Sequence, residues 1–370
     1  MRRKASVLMF SLVSMGIVTI LTQQLMKSVS VGMMFGRMTI RREQATMLAY
    51  SGFTLAMAQI DACYTAEKKG EKTAGEEPAQ PQKTDQHAQK PFSWTTFITT
   101  LMPKLNRLQT FALTEKIDHI DAQLDLCISV EEGKIPVSLF FDEPSRDATP
   151  LMKELFKQFT PYKSMPAGSL TTKLAAFFKK RTDRVDDISR LLPFAHEVHL
   201  PFWYEPAVAP KSKKEKPAPA AWAVADAFTS HVSGARINPL LFSHALCVLL
   251  GLRPPVADDA TTHKDQFKKL AEMYDKIKAS TGDELWKNLS LIYETKPKLT
   301  TELQALFSLD VEPRFYSVLC CATVAGVTSK VLAVIERITP PAAAGSPQEQ
   351  TQKKKAKPQP LCMIRRLYWL

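Results

Sequence analysis

The chain has 370 residues, 45% of them apolar, and a formal net charge of +12. The length allows two or three ordinary domains, and the apolar fraction calls for at least one real core. Three lysine-bearing stretches, the charge-balanced 67–91 and the net basic 211–219 and 345–358, read as solvated linkers, and no aromatic residues interleave with their charges, which argues against a nucleic-acid partner.

The first 60 or so residues hold the strongest pattern. Arg2, Arg3 and Lys4 precede Ala5 and Ser6, and then an uncharged apolar run extends from Val7 to Leu21. No proline interrupts the chain before Pro78, so one helix from Ser6 to about Ala66 is expected. Such a helix is roughly 90 Å long, far more than a globular core needs. Its first part is apolar on all sides through Val7, Leu8, Phe10, Leu12, Ile17, Ile20 and Leu21, and residues 6–26 are read as a membrane span. The cation asymmetry keeps Met1–Lys4 cytoplasmic and places the bulk of the chain on the far side of the inner membrane. Farther on, Ala45, Ala49, Gly52 and Ala56 make a small-residue stripe that admits close approach of a sheet or of a neighbouring helix.

Three processing routes fit this start. A cleaved secretory signal needs a small-x-small site just past the apolar core, and Ser28-Val29-Ser30 lies seven residues beyond Leu21. An uncleaved signal anchor fits if Thr22, Gln23 and Gln24 are tolerated in the span. The third is a short basic leader cut between Ala5 and Ser6, ahead of the apolar run.

Residues 67–91 read as a loop, and 92–149 as the first part of an α/β domain. Phe92–Phe111 is amphipathic and interrupted at Pro103. Leu124–Val130 alternates as a strand, Glu131-Glu132-Gly133-Lys134 forms a turn, and Ile135–Phe141 returns as a second strand. The segment 150–310, with its Lys/Pro-rich linker at 211–219, reads as an inserted helical subdomain. Its apolar faces are Leu151, Leu155, Phe156 and Phe159; Leu170, Leu174, Phe177 and Phe178; and Val185, Ile188, Leu191 and Leu192, ending at Pro193. Helices are also expected over Pro239–Leu250, with Gly251 as stop, and near 264–279 and 283–292. From 311 to 370 the pattern is β: Phe315–Val324, a turn at Ala325-Gly326-Val327-Thr328, Lys330–Ile338, a linker at 340–360, and a last strand over Leu361–Leu370.

Catalytic and metal signatures are absent from the sequence. His196-Glu197-Val198-His199 is one residue too short to put both imidazoles on one helix face, and it reads as a surface loop. Asp183, Asp186 and Asp187 read as a solvated helix face, although their spacing could bridge a hard cation. Six cysteines form no CxxC pair and read mostly as small buried hydrophobes, with the adjacent Cys320 and Cys321 on opposite strand faces. No catalytic residue, metal ligand or cofactor is assigned, and the chain is not read as an enzyme.

A leader and four further stretches, in order, resemble the general secretion pathway protein K family, the K-type minor pseudopilins of type II secretion. The leader RRKA followed by SVLMFSLVSMGIVTIL is similar to prepilin leaders, with Phe10 where most such proteins carry Glu; the K type is the member that lacks this Glu. IRREQATMLAYSGFTLAMAQI resembles the family's R-x-x-A-x-x-L-A-x-x-G-x-x-x-A stretch, and ISVEEGKIPVSLF resembles D-E-G-G-K-I-N-L-N, with Pro136 and Ser138 replacing Asn residues. In the second signature Asp226, Phe228, Thr229, Gly234, Arg236, Ile237, Asn238, Ser243 and Leu246 match in place, while Pro239-Leu240-Leu241 departs. RFYSVLCCATVAGVTSKVLAVIERI is close to the family's end motif.

The resemblance implies a pilin-like α+β fold: a long N-terminal transmembrane helix packed on an antiparallel sheet, with an inserted helical subdomain. It implies cleavage after Ala5 by a prepilin peptidase, methylation of Ser6, other minor pseudopilins as partners, and a place at the tip of a periplasmic filament that serves protein secretion. Calcium binding is implied for the family, with no ligands placed here. A minor pilin of a type IV pilus-like system, or a membrane-anchored periplasmic binding protein unrelated to pilins, are the alternatives.

Overall fold

The computed structural model describes residues 2–65, 92–118, 120–137, 149–158, 167–180, 187–203, 223–232, 236–252, 260–290, 292–293, 299–338 and 362–370; within helices, only the backbone is described for 2–13, 64–65, 167–169, 171 and 260–264. A single helix, α1, covers Arg2–Thr65, 64 residues without a break. Its C-terminal third buries Ala45, Ala49, Gly52, Phe53, Ala56, Ile60 and Cys63. These recur every three or four residues, so they form one stripe. The stripe lies on a five-stranded sheet of order β1-β2-β5-β6-β7, formed by Leu108–Leu113, Ala122–Val130, Phe315–Val324, Val327–Arg337 and Cys362–Trp369, and α1 contacts β2, β5 and β6. All neighbouring strands run antiparallel.

Strand alternation divides the chain between two faces. Leu124, Leu126, Ile128, Val318, Cys320, Ala322, Val331 and Ala333 join the main core with α1, while Cys127, Leu319 and Cys321 form a small cluster on the reverse. Cys320 and Cys321 thus face opposite ways, and all six cysteines are buried and free. The β5–β6 hairpin closes through Ala325 and Gly326 alone, at φ 46° and 82°, the backbone of a two-residue type I′ turn. It is tighter than the four-residue turn expected from the sequence. At the other end of the sheet, Glu336 is buried and ion-paired with Arg314, at 2.5 Å, and with Arg365, which ties β7 to β6 and to the start of β5.

Three expectations are corrected. Ala122–Val130 pairs with Leu108–Leu113 and Phe315–Val324, not with the stretch after Lys134. Ile135–Pro136 (β3) instead pairs in parallel with Phe228–Thr229 (β4) as a separate two-stranded sheet, and 138–141 lie outside the described residues. Pro136 has no N–H and could not sustain a central ladder. Pro193 opens a helix, Leu192–Glu197, at its first turn rather than closing one, because a helix's leading N–H groups have no partner to lose. His196 and Glu197 close that helix and His199 follows at φ 55°, so this stretch is a helix end and not only a loop.

Between β3 and β5 the chain is helical, with Pro150–Lys157, Ala167–Lys179, His244–Leu249, Ala260–Ala279 and Gly282–Leu289 as its longer members. Thr149 and Ser243 cap two of them through side-chain oxygens. Trp94 of α2 (Trp94–Thr100) stacks on Tyr274 with ring centroids 5.2 Å apart, joining the α1 side of the molecule to these helices. One hydrophobic cluster runs from Ala49 and Phe53 through Phe156, Phe194 and Trp286 to Cys320. The described helices within 150–310 share one core with the sheet. The loop expected at 67–91 and the linkers at 211–219 and 340–360 lie outside the described residues.

Candidate functional site

Two features are organised beyond what a core requires. The first is a buried polar lock where the second and third sequence motifs meet. Glu131–Gly133 form one turn of 3₁₀ helix in which Glu131, Glu132 and Gly133 are all buried, and Lys134 follows at 2% exposure. Charged residues are buried only when paired. Lys134 Nζ donates to Glu131 Oε1 at 2.5 Å, to the Ala225 carbonyl at 3.1 Å and to Ser317 Oγ at 3.2 Å, using all three of its protons. Ser317 Oγ also donates to Glu131. Burial raises the Glu131 carboxyl, but Lys134, His231 and Ser317 together outweigh it and hold it below the ordinary value. Glu132 Oε1 accepts from the Arg314 and Phe315 amides at 2.9 and 3.0 Å. No cation offsets its burial, and its carboxyl is pushed up to about 8.

The backbone completes the lock. Asn238 N donates to the Glu132 carbonyl and Ser243 N to the Gly133 carbonyl. Any Cβ at Gly133 would lie 1.6 Å from the Leu241 carbonyl oxygen, so the position admits only glycine. Asp226 Oδ2 accepts from Ala245 N, Asn238 Nδ2 donates to the Val311 carbonyl, and Asn106 Nδ2 donates to the Phe242 carbonyl. The matched motif residues Asp226, Phe228, Thr229, Ile237, Asn238, Ser243 and Leu246 are all buried around this lock, whereas Arg236 is exposed and Gly234 lies outside the described residues. These bonds clamp the sheet to the helices, while Glu132 Oε2 and Asn106 Oδ1 are buried without a hydrogen-bond partner among the described residues.

The sequence pattern reads Glu131–Lys134 as a turn between two strands and does not show the clamp. Two adjacent carboxylates and a lysine carry no sign of burial on their own; the available signal was the motif match itself. Among the described residues no group of three or more His, Cys, Asp or Glu is placed to hold a metal. Asp187 caps a 3₁₀ helix through Ser189 N and accepts from Tyr368, while Asp183 and Asp186 lie outside the described residues.

The second feature is the N-terminal reach of α1. From residue 14 to residue 44 every described side chain is exposed, before the buried stripe begins at Ala45. Among them are Ile17, Ile20 and Leu21 at 53, 58 and 58% exposure, and Met33, Met34 and Phe35 at 61, 64 and 67%. Isolated exposed apolar residues are ordinary; some 30 consecutive helical positions without cover are not. Thr19, Thr22 and Thr39 each donate their hydroxyl to the carbonyl four residues back, which spares these groups the need for water. Ala45, Ala49, Gly52 and Ala56 face this chain's own sheet, which decides between the two occupants the sequence left open. The side chains of Ala5, Ser6, Val7, Leu8, Phe10 and Leu12 lie outside the described ones. Among the described residues no helix is long and apolar enough to cross a membrane, so the span expected over 6–26 is not found there.

The chain is similar to a chain of the GspK-GspI-GspJ complex from the type 2 secretion system of enterotoxigenic Escherichia coli. The likeness covers 90% of this chain and 98% of that one, at 8% identity and a TM-score of 0.40. No protein-family model matches the chain, and no curated protein matches it.

Proposed function

We propose that this chain is a minor pseudopilin of a type II secretion system, set at the tip of a periplasmic pseudopilus and acting in protein secretion by assembly rather than by catalysis. The observation that carries the reading is the helix of residues 14–44, rich in exposed apolar side chains along its length and continuous with a segment locked onto the chain's own sheet. A helix of that kind needs apolar surroundings supplied from outside: lipid for the part that includes 6–26, and the helices of other minor pseudopilins beyond it. In this reading a prepilin peptidase cuts between Ala5 and Ser6, the chain stays in the inner membrane by a single pass, and its bulk lies in the periplasm.

The tip position follows from Phe10. In pilin-like filaments a carboxylate at that place meets the N-terminal amine of the subunit above, and a carboxylate in lipid is costly unless paired. A subunit with Phe10 has no such group to offer a subunit above it. The helices of 150–310 add bulk that a stacked subunit would have to avoid. Absolute quantification of subunits in isolated pseudopili tests this. The expected result is a single copy of this chain per filament; many copies in proportion to filament length would contradict the tip assignment.

A further inference from the structure

Where α1 passes the end of the sheet, its surface and the turn of the β5–β6 hairpin form a groove. Leu25, Met26, Val29, Met33, Met34 and Met38 make its apolar wall, with Ser30 among them, and Ala325, Gly326 and Val327 close the other side. Arg37 and Arg41 also line it, one helical turn apart on the same face. Neither arginine has an ion pair or hydrogen bond among the described residues, and no carboxylate lines the groove. Between residues 14 and 44 the charges are Lys27, Arg37, Arg41 and Arg42 against Glu43 alone.

Taking the assembly role proposed above as given, we propose that this groove receives an apolar helix of another subunit that presents two carboxylates, a turn apart, to Arg37 and Arg41. The methionine-lined trough supplies an adaptable apolar bed, suited to a helix whose side chains it did not co-evolve to interlock with residue by residue. The arginines add what apolar packing lacks, a fixed register: a helix slid by one turn leaves a carboxylate and a guanidinium unpaired beside apolar surface. A second copy of this chain is a poor occupant, because its own helix brings four cations and one acid to the contact. An anionic lipid satisfies the charges but not the position, since Arg37 is about 16 Å of helix beyond Met26, where the expected span ends.

Photocrosslinking from the full chain in its native host tests the proposal. A photoreactive residue at Met34 reports the groove, and one at Phe35, which does not line it, serves as the control. The expected adduct from Met34 joins another subunit through a helical peptide with Asp or Glu within one turn of the link. The double variant Arg37→Glu, Arg41→Glu is expected to lower its yield by about tenfold, with recovery when the captured carboxylates are changed to lysine. Capture of lipid, or of a second copy of this chain, from Met34 would overturn the proposal. So would an adduct to another subunit whose yield ignores the charge reversal, and that result would leave the assembly role standing.

Discussion

Burial at Glu132 sets a measurable signature. Its carboxyl titrates near 8 in the folded chain, against an ordinary value near 4.5 in the unfolded one. The unfolded chain therefore ionises first as pH rises, binds fewer protons across that window, and gains on the folded state. Stability should fall from about pH 4.5 to about pH 8, with a slope at this site of up to roughly 1.4 kcal/mol per pH unit. Glu131 acts in the opposite sense: its lowered value gives stability that is present above the unfolded value and lost only as pH falls below it. Chemical denaturation across pH should show the decline in the native chain and a clearly flatter profile in Glu132→Gln. An unchanged slope in that variant would mean that Glu132 is ionised in the fold. Nothing in the residue string Glu131-Glu132-Gly133-Lys134 announces this, because its turn propensity is the same in water and in a core; only the packing of Leu241 and Ser317 around it makes the difference.

At the scale of elements, α1 and the β5–β6 hairpin were legible from local chemistry: sustained helix-compatible residues without proline in one, β-branched runs around a Gly-containing turn in the other. The stripe Ala45, Ala49, Gly52 and Ala56 was legible as a contact surface, but its occupant was not, since small residues admit a sheet or a helix equally well. The pairing of β2 with β1 was hidden for a related reason. Leu108–Leu113 sits in a mixed segment after Pro103, and only the register against Leu124 and Leu126 identifies it as the partner. Gly52 shows how closely α1 sits: an added Cβ would lie 2.9 Å from Cys320 Sγ and 3.1 Å from Leu124 Cδ1. Gly52→Ala should cost about 1–3 kcal/mol by overpacking, despite the better helix propensity of alanine. Adding Cys320→Ala should return part of that loss, measured as a positive coupling in a double-mutant cycle. Simple additivity of the two changes would show that α1 does not press on β5 at this point.

Over the whole molecule, the division of labour runs along one helix. Residues 45–63 complete the core of this chain, and residues 14–44 present exposed side chains along the helix. The lock at Glu131–Lys134 and the ion pairs at Glu336 hold the sheet and the helices as one core behind that helix. The assembly account depends on how the N-terminus is made. Mass spectrometry of the mature chain from its native host tests it most directly. The account predicts a chain that begins at N-methylated Ser6. A mature N-terminus near Val31, or an uncleaved Met1, would contradict it.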